Sequence, residues 1–102
     1  MNFRSKDIEN GIIIRRGVVE NDEDGTPLLV NDKGEGYRVN DTVVSLWNMC
    51  NGIPFNDLMK EVLRISNDDE HDVRKALVEM LKQLSKVSVI GIKKPNESSL
   101  FH

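Results

Sequence analysis

The side chains able to do chemistry in this chain are few and scattered. The one cysteine, Cys50, stands near the end of the stretch VNDTVVSLWNMCNG. Leu46 and Trp47 stand one turn earlier, so Cys50 falls on the apolar face of a helix. A thiol there has no cation to lower its pKa and packs as a small apolar group. His71 lies among Asp68, Asp69, Glu70 and Asp72. That cluster lacks the glycine-punctuated spacing of a calcium loop, so a solvated helix start is expected. His102 is terminal. No phosphate-cradling glycine loop or paired-histidine zinc motif is present, and Gly34 and Gly36 suit a hairpin turn. A nucleophile and base cannot be assembled from these residues. The expectation is a protein that is not an enzyme, with no catalytic residue, metal or cofactor, whose function is binding.

The chain has 102 residues, 38% apolar and 30% charged, which fits one domain over 1–102. The ordered part is expected at about 8–92, and the polar tail KKPNESSLFH is expected to fray. A net charge of −3 disfavours a strongly basic nucleic-acid binder. A lone cysteine excludes an internal disulfide and suits a reducing cytoplasm. The start, MNFRSKDIENG, lacks the apolar centre of a signal peptide, and no run approaches the ~20 apolar residues of a membrane span. A cytoplasmic protein is expected.

Periodicity divides the elements that must position any site. GIIIRRGVVE is β-branched and ends at NDEDGTP, LLVND is a second short strand, and GYRV is a third. Gly25, Gly34 and Gly36 are read as the positive-φ residues of the turns. Strands this close predict one antiparallel meander. Helices follow. Asn40 is a good N-cap, and Val43, Leu46, Trp47 and Cys50 recur on one face, with Gly52 closing the helix. A second helix starts near Pro54 and carries Phe55, Leu58, Met59 and Val62 on one face. SNDDEHD caps a third, running from about Asp69 to Ser85, with Val73, Leu77, Met80 and Leu84 as its core stripe. VSVIGI is again strand-like. The fold class is α+β: a winged-helix-like domain, with an N-terminal three-stranded antiparallel sheet followed by a three-helix bundle.

That outline admits a DNA-binding transcriptional regulator, since winged helices often read DNA with the third helix. Asp68 to Lys86, however, carries five acids against four bases and opens on three consecutive acids, which phosphates would repel. Lys75, Lys82 and Lys86 are the residues that would line a DNA-facing side.

The stretch from Val39 to Gly52 resembles the signature of the PqqD family, roughly Leu-Asn-Glu-Thr-Ala-Ala-Glu-Ile-Trp-x-Leu-Cys-Asp-Gly. Asn40, Thr42, Trp47, Cys50 and Gly52 match outright. Met80, Leu81 and Leu84 fill the Phe-Leu-x-x-Leu at the end of the third helix. Two positions depart: Ser88-Val89-Ile90 stand where the family has Gly-Leu-Ile, with Gly91 displaced, and Ala76 replaces an early acid. The resemblance spans about residues 36–90. It implies a precursor-peptide recognition element, which binds the leader segment of a ribosomally made peptide. The partner would be a modifying enzyme, often of the radical S-adenosylmethionine class, in peptide modification or cofactor biosynthesis. It also implies that the leader pairs with the third strand beside the third helix, by strand addition.

The residues themselves suit that task. GYRV, last in the meander, is expected to be an unpaired edge, which needs protection or a partner. An edge can also pair two copies of the chain, so self-association is a further use of it. The peptide site is accordingly placed at Gly36, Tyr37, Arg38 and Val39, with Arg74, Val78, Leu81 and Ser85 flanking the core face of the third helix. The opposite flank, Ala76, Glu79 and Gln83, is the rival surface, and the sequence does not choose between them.

Overall fold

The computed structural model describes residues 3–94. The tail from Pro95 onward, including His102, lies outside them, as do Met1 and Asn2. The described chain runs α1 (Ser5–Glu9), β1 (Ile12–Arg15), β2 (Val18–Asn21), β3 (Pro27–Val30), β4 (Gly36–Arg38), α2 (Asp41–Met49), β5 (Asn51–Pro54), α3 (Phe55–Ile65), α4 (Glu70–Lys86) and β6 (Ile90–Lys93). The α+β class holds. The single meander does not: there are two three-stranded antiparallel sheets, ordered β5-β1-β6 and β2-β3-β4.

The split falls at Gly17, inside the stretch read as one strand. Its φ is +82°, and a Cβ there would run into the Val30 carbonyl oxygen. Only glycine lets the chain turn this tightly against β3, and the turn hands it from one sheet to the other. β1 then takes β5 on one side and β6 on the other, pairing Ile13 with Ile53 and with Ile92. β5 occupies the segment read as a helix end and a helix start. Gly52 does adopt a positive φ of +90°, but within a strand. Gly25 and Gly34 are left-handed as expected, at +81° and +83°. Gly36 is not, because it pairs with Val30 as the first residue of β4.

The helices follow their local signals. Asn40 caps α2, its side chain accepting the Val43 N–H at 2.8 Å. Asp69 caps α4 by accepting the N–H groups of His71 and Asp72. Those bonds hold the Asp69 carboxyl below its ordinary pKa. The Trp47 indole N–H donates to the Val89 carbonyl at 2.8 Å, tying α2 to the exit of α4. Cys50 is buried, its thiol against the Leu46 carbonyl, and burial pushes its pKa up to about 12 despite the nearby Arg15 cation.

One element has no counterpart in the sequence reading. α1 packs on α4, and its Ile8 is fully buried in the common core. This widens the buried face of α4. Val78 and Leu81 join Val73, Leu77 and Leu84 inside, while Met80 is left half-buried. No helix among the described residues is long and apolar enough to cross a membrane.

Candidate functional site

β4 is an edge of its sheet. The Val39 N–H donates to the Pro27 carbonyl at 3.1 Å, and the Asn31 N–H to the Glu35 carbonyl at 3.0 Å. With Leu29 opposite Tyr37, these bonds set the alternation of the ladder. Pro27–Val39, Leu29–Tyr37 and Asn31–Glu35 are the hydrogen-bonded pairs, so Gly36 and Arg38 direct N–H and C=O away from β3. Tyr37 is half-buried, and Gly36 and Arg38 are exposed. Arg38 also reaches Asp22 of the β2–β3 turn at 3.4 Å.

Beside this edge lies an open groove of about 610 Å³ between Arg38–Asn40, the first turn of α2 and the outer face of α4. Val39, Val43, Ala76, Met80 and Leu84 make it apolar, and Arg38, Glu79 and Gln83 give it polar margins. Val39, expected at the site, is therefore on the groove wall.

The helical half of the expected site, Arg74, Val78, Leu81 and Ser85, does not line the groove beside β4. Val78 and Leu81 are 5% and 0% exposed and pack mainly in the core, and Val78 lines a separate shallow depression with Glu9, His71 and Arg74. Arg74 donates to Glu9 of α1 at 3.1 Å and to Glu70 at 3.3 Å, bonds that raise its pKa. Its guanidinium also lies over the Phe55 ring, 5.8 Å from the centroid. It is a clamp between α1, α3 and α4. Ser85 is half-buried in the last turn of α4, where its carbonyl accepts the Ser88 N–H. The flank that shares the groove with β4 is the rival one, Ala76, Glu79 and Gln83, joined by Met80. On the other side α1 packs against α4, with Glu9 bonded to Arg74.

Asn31 was missed, and it sets the geometry. It is buried, and all four hydrogen-bonding capacities of its amide are met. Its NH₂ donates to Glu35 Oε1 and to the Val87 carbonyl at the end of α4, both at 2.9 Å. Its Oδ1 accepts the N–H groups of Lys33 and Glu35. The β3–β4 turn is thereby fastened to the helix that forms the far groove wall. In sequence, Asn31 looks like any turn asparagine, because its partner Val87 is 56 residues away.

Chemically, the groove offers a strand edge unpaired among the described residues, an apolar floor and a polar rim, a combination able to hold an extended chain. The family model for coenzyme PQQ synthesis protein D (PqqD) matches residues 25–90, more than half of the chain. The chain belongs to the PqqD family. The match takes in β3, β4 and α2 to α4, and leaves α1, β1 and β2 outside. No curated protein and no solved structure matches this chain.

Proposed function

We propose that this protein is a non-catalytic adaptor that binds the leader segment of a ribosomally made precursor peptide and presents it to a modifying enzyme. The peptide adds as a strand to β4, taking up the N–H and C=O groups of Gly36 and Arg38, and lays alternate side chains against Ala76, Met80 and Gln83. The observation that carries this reading is the free edge of β4 facing an apolar groove on α4. In this arrangement the β2-β3-β4 sheet is the wing of a winged helix formed with α2, α3 and α4. Family membership favours a role in PQQ-type cofactor biosynthesis, with an enzyme of the radical S-adenosylmethionine class as partner. The reduced, buried Cys50 suits a cytoplasmic setting.

The test is a ¹⁵N-NMR titration with the leader region of a precursor peptide encoded beside the gene. The amides of Gly36 and Arg38 should move together with those of Ala76, Glu79 and Gln83. A saturating leader that leaves all of them in place defeats the proposal.

A further inference from the structure

A second depression, about 400 Å³, opens between α2, α3 and α4. It shares Ala76 and Met80 with the β4 groove, so the two adjoin along α4. Its walls are mainly apolar, with Met49, Val62, Ile65 and Leu77 prominent. Ile65 is 73% exposed, the highest value among the exposed large apolar residues. An apolar side chain left in water beside an open apolar depression marks a surface that something covers. The rim carries Asp68 and Asp72, and among the described residues no Lys, Arg or His lines it.

We infer that this depression is an anchor subsite of the same peptide receptor. It takes one large apolar side chain, flanked by a lysine or arginine, on the N-terminal side of the strand added to β4. The inference rests on the strand-addition reading above, and goes further by defining what the peptide must carry.

Adjacency and direction both support it. The chain leaves β4 through Asn40 into α2, where Val43 lines the groove, and Ser45, Leu46 and Met49 line the depression further on. The depression therefore lies beyond the C-terminal end of β4. An antiparallel strand, the more stable pairing, starts at that end, so its preceding residues run into the depression. From Gln83 to Asp72 along α4 is roughly 16 Å at 1.5 Å per residue, which about five extended residues span. Charge selects the flank: Asp68 and Asp72 attract a basic residue beside the anchor and repel an acidic one.

The test uses peptides selected on the wild-type protein from a random 16-residue display library, with affinities measured for four proteins. The wild type is compared with Arg38→Pro, Ser45→Trp and Ile65→Asp. Arg38 directs its N–H away from β3, so proline there blocks strand addition without removing a β3–β4 bond. Ser45 and Ile65 are exposed and line the depression but not the β4 groove. Each variant is first checked for a dispersed amide spectrum.

The expected result is a loss of about tenfold or more in each variant, the scale of burying one large apolar side chain. Replacing the peptide's apolar anchor by alanine should weaken wild-type binding equally and cost nothing further in Ser45→Trp. Peptides that fail on Arg38→Pro but bind Ser45→Trp and Ile65→Asp as tightly as wild type overturn the anchor and leave strand addition standing. Peptides that bind Arg38→Pro normally overturn strand addition, and the anchor with it.

Discussion

Glu9 accepts a hydrogen bond from Arg74 at 3.1 Å, across 65 residues of chain. That contact pins α1 to α4 on the flank that sequence alone made as good a candidate as the other. It follows that Arg74→Ala and Ser85→Ala should leave leader affinity unchanged, whereas Ala76→Trp, which fills the groove, should lower it about tenfold or more. Hydrogen exchange should show the opposite ranking for α1, whose amides lose protection in Arg74→Ala alone.

Asn31 supplies a second prediction. Asn31→Ala removes four hydrogen bonds and leaves the Val87 carbonyl without its amide donor. Urea denaturation should record a loss of about 1–3 kcal/mol, the cost of stranding a buried polar group. Leader binding should weaken beyond what the stability loss explains, because β4 is no longer held at a fixed distance from α4.

Ser88 adopts a left-handed φ of +63°. It follows Val87, the C-cap of α4, and the next N–H, from Val89, returns to the Leu84 carbonyl at 3.1 Å. This is the left-handed closure that glycine adopts without a Cβ clash. Ser88→Gly should therefore stabilise the fold, by about 0.5–1 kcal/mol, with the higher midpoint visible in a thermal melt.

Cys50 should be inert in the folded protein. Buried, and with its pKa at about 12, the thiol should resist an aromatic disulfide reagent at pH 8 and react only after urea unfolds the chain. The sign of the pH dependence follows from the ordinary thiol value of 9.0. Between that value and about 12, the unfolded chain binds fewer protons than the folded one, so stability falls as pH rises. Cys50→Ala should flatten that part of the stability profile relative to wild type.

Local rules made the three main helices legible. Caps at Asn40 and Asp69, and apolar residues at helical spacing, act within one or two turns, so Trp47, Cys50, Phe55 and Leu58 could be placed inside from sequence. The free edge of β4 was legible too, as the last strand before a capped helix. The limits were equally physical. α1 is five residues with one buried side chain, too short to show a period. GIIIRRGVVE reads as one strand because β-branching is local, while the parting at Gly17 answers to Val30 in another strand. β5 is a four-residue strand made from a helix end and a proline, and it exists because β1 lies opposite.

By itself, then, the sequence determined what the chain could form within a few residues: three amphipathic helices, two of them capped, short strands, and the family signature from Val39 to Gly52. Tertiary structure alone decided which sheet each strand joined and which side of α4 faced β4. Those choices depend on contacts such as Glu9–Arg74 and Asn31–Val87, between residues 65 and 56 positions apart. Hydrophobic periodicity reports that a face is apolar; it carries no information about which distant element covers it.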